Sequence, residues 1–331
     1  MSTQQTDSQV RQAPLVSFII TYYQLPIKML QECIESILAL SLTDQEREII
    51  LIDDGSEKSP VDDLSSYMSA ITYVRQAHQG VSVARNTGIH IATGNYIQFV
   101  DGDDMLLKDA YQECLQAART YQDDIITFHY TRKLSDKKQI IRPRQIMSGE
   151  EYMNHQNLRG SVCGYLFRRE LLGSLHFTPG IDYSEDEEFT PQLFFKANSI
   201  YPTYLTAYFY RSHAASAIHQ SHPQKITKRL DDTEKVIFHL QHICETLPIH
   251  QQSAFKRRIA QLTMDYLYEM MILKEDKDEI RSRIDALVKK ELFPLPNRHY
   301  TSTYTLFRWM TNTSIGRRLL IDLLPLTTKK R

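Results

Sequence analysis

The sequence predicts an α/β protein with a mostly parallel central sheet flanked by helices, followed by a helical C-terminal region. Three observations carry this. Short β-rich apolar runs, "LVSFIIT" (15–21), "REIILIDD" (47–54) and "NYIQFV" (95–100), have the character of strands buried on both faces. Stretches of helical apolar spacing stand between them, as in strand–helix–strand units. Beyond about residue 225 only helical patterns remain.

The first strand is 15–21. Pro26 then opens a helix with Ile27, Leu30, Ile34, Ile37 and Leu38 on one face. The second strand, 47–54, ends in carboxylates and "GS". A helix or turn is expected around 61–68, then a third strand over "ITYVRQ" (71–76). "QGVSVARNTGIHIATG" is a turn at Gly80, a helix, and a stop at Gly94. The fourth strand follows, then a helix carrying Leu107, Ala110, Cys114, Ala118 and Tyr121, and a fifth strand over "DIITFHY" (124–130).

Order is weaker between 131 and 220. "SVCGYLFRRELL" has the form of a strand turning into a helix. "SEDEEFTPQLFFKA" is a helix with an acidic first turn, where the helix dipole favours carboxylates. Three helical patterns then cover 228–246, 254–274 and 277–292. In the second, Phe255, Ile259, Leu262, Tyr266, Met270 and Leu273 form a stripe. The expected organisation is a disordered lead over 1–13, an α/β domain over 14–220 and a helical region over 221–331.

The chain has 331 residues, 42% of them apolar, enough for a sizeable core in about two domains. With 39 basic and 40 acidic residues it is nearly neutral, which gives no electrostatic basis for a nucleic-acid partner. From Asn297 to Arg331, however, seven basic residues face one acid, Asp322. None of the four cysteines forms a CxxC pair, which argues against a zinc or redox site and fits a reducing compartment. The polar N-terminus lacks the apolar stretch of a signal peptide, and no run nears the length of a membrane span. A cytoplasmic protein is expected, working at the inner face of the membrane if its C-terminal segment makes contact there.

Ligands of open parallel sheets bind beyond the carboxyl ends of the strands. Two acidic clusters fall at such ends, Asp53–Asp54 and Asp101, Asp103, Asp104, and the first strand ends in Thr21, Tyr22 and Tyr23. Neighbouring strands would bring these groups to one cleft. The 101–104 oxygens suit Mg²⁺ or Mn²⁺ on a substrate diphosphate; the same residues also suit a solvated acidic turn with Asp104 capping the next helix. Asp53 can accept from a nucleobase or ribose, or serve the turn. Arg85 can reach a nucleotide, or form a surface ion pair. Missing are GxGxxG after the first strand, GxxxxGK[ST], HExxH and GxSxG, which argues against dinucleotide oxidoreductases, P-loop enzymes, zincins and serine hydrolases. The twelve histidines show no metal-ligand spacing; His213, His219 and His222 come nearest to a cluster.

Taken in order, "VSFIITYY", "EIILIDDGS", "QGVSVARNTGIHIATGNYIQFVDGDD", "GYLFRRELL", "FTPGIDYSEDEEFTPQLFFKA" and "YFYRSH" resemble the family 2 glycosyltransferases over residues 14–215. The resemblance implies a GT-A fold and a hexosyl- or hexosaminyl-transferase of polysaccharide biosynthesis. It implies inversion by single displacement, a nucleotide-sugar donor, by default uridine-linked, and a glycan or lipid-linked acceptor. It implies that Asp53 meets the base, with Thr21, Tyr23 and Arg85 beside the nucleotide. Asp101-Gly102-Asp103 becomes the DxD motif, Asp103 holding Mn²⁺ or Mg²⁺ and Asp101 facing ribose or the metal shell. Glu185-Asp186 is the late acidic pair, with Asp186 as general base. "YFYRSHAAS" leaves two readings open: Arg211 or His213 approaching the diphosphate from a closing loop, or a packed strand end. Tyr23 matches the family turn, whose usual proline and asparagine are absent here. A non-catalytic nucleotide-sugar or glycan-binding module and a sugar-nucleotide pyrophosphorylase are the alternatives; "TYYQLP" lacks the Gly-rich, basic phosphate loop of the latter.

Overall fold

Strand β1 (Val16–Tyr22) lies inside an eight-stranded sheet, hydrogen-bonded on one side to β2 (Arg47–Asp53) and on the other to β4 (Tyr96–Asp101). The computed structural model describes residues 13–135, 142–212, 223–273, 276–298 and 300–327. They divide into two compact units. The first is built from 1–146, 163–174 and 201–211, and the second from 147–162, 175–200 and 212–331. The expected N-terminal lead falls almost wholly outside the described residues.

In the first unit the strand order is β3-β2-β1-β4-β7-β6-β8-β5, with β3 (Ile71–Arg75), β5 (Met105–Leu106), β6 (Ile125–Thr131), β7 (Tyr165–Arg168) and β8 (Ile200–Phe209). The sheet is mixed. β3, β2, β1 and β4 run parallel. β7 runs antiparallel to β4 and β6, and β5 antiparallel to β8. The parallel half holds the most apolar runs because it is covered on both faces: Phe18, Ile19, Ile20, Ile50, Leu51, Ile52 and Ile97 are buried. Helices α1 (Ile27–Leu38), α2 (Val81–Ile91) and α3 (Lys108–Thr120) supply the cover. α1 follows Pro26, which serves as its N-cap. In α3 the inner face is Ala110, Tyr111, Cys114, Leu115 and Ala118, while Tyr121 stands outside it, 55% exposed.

α2 ends at Ile91, before Gly94. Gly94 is needed for a different reason. A Cβ there would come within 2.7 Å of the Ser17 backbone nitrogen. Its N–H donates to Ser17 Oγ at 2.8 Å, which lets the chain pass close against β1. All four cysteines are buried free thiols.

In the second unit the helices are α4 (Gly149–His155), α5 (Glu185–Phe195), α6 (Pro223–Thr246), α7 (Gln252–Ile272), α8 (Lys277–Lys289), α9 (Ser302–Asn312) and α10 (Ser314–Thr327). α7 is the central one, packed by α4, α6 and α10. Its Phe255, Ile259, Leu262, Tyr266 and Met270 are buried along one stripe, and Leu273 is its half-buried C-cap. The side chains of Ser148, Asp276 and Thr301 accept the N–H groups of Glu151, Asp278 and Tyr304, satisfying helix starts at α4, α8 and α9. No helix among the described residues is long and apolar enough to cross a membrane.

Candidate active site

Register settles where the acidic tips meet. Tyr22 pairs with Asp53 across β1–β2, and Thr21 pairs with Asp101 across β1–β4. Because the three strands are parallel neighbours, their carboxyl ends, and the turns that follow, open on one end of the sheet. Thr21, Tyr23, Asp53, Arg85, Asp101, Gly102, Asp103 and Arg211 all belong to the first unit, and Glu185 and Asp186 to the second. His213 lies outside the described residues.

At the end of β2, Asp53 is fully buried. Its Oδ1 accepts the Ser56 N–H at 2.9 Å, its Oδ2 accepts the Tyr73 hydroxyl at 2.9 Å, and Arg75 Nε stands 3.5 Å away. The carboxylate therefore fastens the turn and β3 together. Its neighbour Asp54 organises the next loop. It accepts from Gln76 Nε2 at 2.7 Å, the Gln79 N–H at 3.0 Å and the Gly80 N–H at 2.9 Å, with His78 Nδ1 at 2.8 Å. The His78 ring is stacked on Tyr23, centroids 4.0 Å apart and planes 9° from parallel. Tyr23 is 40% exposed, so a flat aromatic surface stands at the rim of the turn.

At the end of β4, Asp101 and Asp103 are half-buried and Asp104 is buried. Arg85, itself buried, pairs with Asp101 Oδ1 at 3.2 Å and lies over the Phe99 ring. It is an inward ion pair, not a surface one. The Gly102 N–H donates to the Thr21 carbonyl at 3.1 Å, and a Cβ at Gly102 would approach that oxygen to 2.9 Å, so the turn closes over β1 only with glycine.

Asp104 does not cap α3, whose N-cap is Leu107. Its Oδ1 accepts the Arg211 N–H at 2.8 Å and its Oδ2 accepts the Tyr208 hydroxyl at 2.8 Å. Burial first, and then repulsion from Asp101 and Asp103, push its carboxyl up to about 8. Of the three carboxylates, one is turned inward and held near neutrality and one is matched by Arg85. Arg211 braces the same turn: its Nε donates to the Asp103 carbonyl at 2.8 Å and its guanidinium pairs with Glu32 of α1 at 2.5 Å.

A divalent ion can be held here in one way. Among the described residues no three histidine, cysteine or carboxylate side chains gather at one cation position. Asp103 and Asp101 offer hard oxygens, few enough that a bound diphosphate and water must complete the shell, which is how Mg²⁺ is commonly taken.

In the second unit, the acidic first turn of α5 is differentiated. Glu187 pairs with buried Arg258, and Glu188 pairs with His239. Arg258 also donates to the Leu158 carbonyl at 2.8 Å. Asp186 is half-buried, and its Oδ2 accepts the Val162 N–H at 3.2 Å. Glu185 begins the helix, half-buried.

Sequence reasoning missed Asp54 as the loop organiser, His78 as the partner of Tyr23, and the Tyr208–Asp104–Arg211 brace. "IDDGS" contains the first; the brace joins residues more than a hundred positions apart and leaves no local signal.

The family described as glycosyl transferase family 2 matches residues 17–174, which include every strand of the parallel half. The chain is 32% identical over 218 residues to the glycosyltransferase EpsJ of Bacillus subtilis, a match covering 61% of this chain and 62% of that protein. In structure it is similar to residues 1–349 of S. aureus TarS in complex with UDP-GlcNAc, with a TM-score of 0.59, 14% identity, and 96% and 93% of the two chains covered. It is also similar to the mannosyltransferase PcManGT from Pyrobaculum calidifontis in complex with GDP-Man and Mn²⁺. There the TM-score is 0.52, the identity 12%, and the coverage 97% and 89%. These structural likenesses establish the GT-A fold. The family match lies on the strands that build the acidic tips, and residues 17–174 of the chain match the family 2 glycosyltransferases.

Proposed function

We propose that the protein transfers a hexosyl or hexosaminyl group from a nucleoside-diphosphate sugar to a hydroxyl of a glycan or lipid-linked acceptor in polysaccharide biosynthesis. Inversion at the anomeric carbon by single displacement is part of the proposal. The observation that carries it is the pairing of Tyr22 with Asp53 and of Thr21 with Asp101, which gathers the turn residues at one end of the sheet. The complexes of TarS with UDP-GlcNAc and of PcManGT with GDP-Man support a nucleotide-sugar donor; uridine is the default nucleotide.

The nucleobase is assigned to the rim formed by Tyr23 and the loop that Asp54 holds, with Asp53 fastening the turn beneath it. Thr21 and Arg85 border the ribose and diphosphate side, Arg85 by fixing Asp101. Asp103, with Asp101 beside it, would hold Mn²⁺ or Mg²⁺, which supplies charge neutralisation at the departing diphosphate. Arg211 acts on this site by bracing the acidic turn. The acceptor hydroxyl is a weak nucleophile and must lose its proton during attack. Asp186 is assigned as the base that accepts it. Glu187 and Glu188 are excluded from that role by their pairing with Arg258 and His239, and Glu185 remains as a neighbour that shapes the acceptor side. The bond from the anomeric carbon to the diphosphate breaks as the bond to the acceptor oxygen forms, with oxocarbenium character between them.

A catalytic part over 14–220 with a helical part over 221–331 is retained as the functional division, the latter meeting acceptor or membrane. A cytoplasmic enzyme at the inner face of the membrane follows from a lipid-linked acceptor. The chain spans 62% of the length of EpsJ, so the activity rests on this chain's own residues. Incubation with a panel of labelled nucleotide sugars, with and without Mn²⁺, tests it. Metal-dependent release of nucleoside diphosphate is expected for one donor. Binding without release would leave a non-catalytic module, and turnover only with pyrophosphate or a nucleoside triphosphate would leave a pyrophosphorylase.

A further inference from the structure

α9 and α10 each carry two apolar faces. The inward ones account for their packing: Phe307 and Thr311 of α9 and Leu320 of α10 are buried. The outward ones are not used by the second unit. Trp309, the chain's single tryptophan, is 63% exposed, and Leu306, one turn earlier, is 58% exposed. On α10, Ile315, Leu319 and Leu323 are 74%, 47% and 54% exposed. Their spacing of four residues puts them in one line along the helix. Single exposed leucines are ordinary, but a line of three large apolar side chains along α10, with Leu306 and Trp309 exposed on the adjoining α9, asks for a partner.

The corner between the helices is rigid. A Cβ at Gly316 would come within 2.2 Å of the Met310 carbonyl oxygen, so the chains touch there. Asn312 accepts the Leu295 N–H at 2.9 Å and donates to the Leu295 carbonyl at 2.8 Å. The outward face is therefore preset.

Charge identifies the occupant. Along the two helices stand Arg308, Arg317 and Arg318 against one carboxylate, Asp322, which is itself paired with Lys277 at 2.8 Å. Arg318 is exposed beside the Ile315–Leu319 line and pairs with no carboxylate among the described residues. An apolar stripe with tryptophan, bordered by arginine, matches the interfacial layer of a bilayer, where apolar side chains enter below anionic headgroups.

We propose that this face of α9 and α10 docks on an anionic lipid surface, with Trp309, Ile315, Leu319 and Leu323 in the interfacial layer and Arg318 at the phosphates. The inference deepens the membrane side of the proposed function and rests on that side alone; it uses neither Asp103 nor Asp186.

The full chain is mixed with vesicles of phosphatidylcholine, or of phosphatidylcholine with phosphatidylglycerol. With phosphatidylglycerol present, the protein floats with the vesicles, and Trp309 emission moves to the blue and is quenched by brominated lipid. Leu319→Glu with Leu323→Glu, checked for folding by circular dichroism, reduces the bound fraction by about tenfold or more, and Arg318→Glu weakens binding most at low salt. Unshifted emission with no flotation on anionic vesicles overturns the proposal. So does a blue shift without lipid that follows protein concentration together with a dimer mass in sedimentation, which would make the occupant a second copy of the chain. Donor release is measured on the same samples without vesicles. Its retention in the Leu319→Glu, Leu323→Glu protein separates loss of docking from loss of transfer; absence of release from a wild-type protein that still binds vesicles would strike the transfer assignment and leave the docking face standing.

Discussion

The Tyr208 hydroxyl donates to Oδ2 of Asp104 at 2.8 Å and accepts the backbone N–H of Asp101 at 3.2 Å. One oxygen at the end of β8 thus fixes both ends of the acidic turn that closes β4. Tyr208→Phe removes both bonds and leaves a buried N–H and a buried carboxyl oxygen each short of a partner, a cost of about 1–3 kcal/mol. We expect a lower unfolding midpoint in denaturant and weaker metal-dependent binding of nucleoside diphosphate. An unchanged nucleotide affinity in calorimetry would show that the turn keeps its shape without Tyr208.

Gly102 sits where a Cβ would lie 2.9 Å from the Thr21 carbonyl oxygen and 3.3 Å from Leu25 Cδ1. The oxygen is backbone and accepts the Gly102 N–H, so it cannot swing aside. Gly102→Ala is expected to cost about 1–3 kcal/mol of stability and to displace Asp101 and Asp103 together. Nucleotide affinity should fall further than in a Gly→Ala control at Gly164, where the added atom meets only the Phe128 carbonyl oxygen, at 3.9 Å. Equal effects at both positions would contradict a tight turn at 101–104.

The Asp104 carboxyl is raised to about 8, burial being the first cause and Asp101 the next. In the unfolded chain an aspartic acid titrates near about 3.9. Between these values the native state keeps a proton that the unfolded chain has released. Stability from this group is therefore complete below about pH 4, declines as pH rises, and is lost above about pH 8. Asp104→Asn keeps the shape without the titration. With divalent ions chelated, its melting temperature relative to wild type should climb across that window. A constant difference would mean that Asp104 is an ordinary ionised carboxylate.

Asp186→Asn should leave donor binding nearly intact and lower transfer by about 10²–10⁴-fold, the usual worth of a general base. Single-turnover transfer and equilibrium donor binding, measured side by side, check this. An equally active Asp186→Asn enzyme would remove the base assignment. Glu187→Gln instead leaves buried Arg258 without its carboxylate, and should act on stability more than on the chemical step.

The parallel half of the sheet was legible because its strands are apolar on both faces, and the turns after them stand out as carboxylates against that background. Asp101 and Asp103 could therefore be singled out before their neighbours were known. β8 was not legible as a strand; its end entered the reading only as "YFYRSH", a stretch of the family resemblance with no structural role attached to Tyr208. Pro202 lies within the strand and Tyr204 has φ of 59°, and the two together break the alternation that marks a strand. With β8 went Tyr208, and with Tyr208 the reason for a third aspartate in the turn. The burial of Arg85 was equally hidden, since a helix next to a glycine turn looks the same whether its arginine faces water or Asp101. Gly94 illustrates a signal with two meanings: a glycine after a helix marks its end, but here close passage against Ser17 requires it and the helix has already stopped.

The central claim is that Asp103 holds a divalent ion against the donor diphosphate at the carboxyl ends of β1, β2 and β4. Crystals grown with UDP and Mn²⁺, measured at the manganese absorption edge, test it most directly. The account predicts one anomalous peak within coordination distance of an Asp103 carboxylate oxygen and of the diphosphate, with the base at the Tyr23 rim, and no peak in Asp103→Ala crystals. A peak away from the 101–104 turn, or UDP bound with no manganese at Asp103, would contradict it.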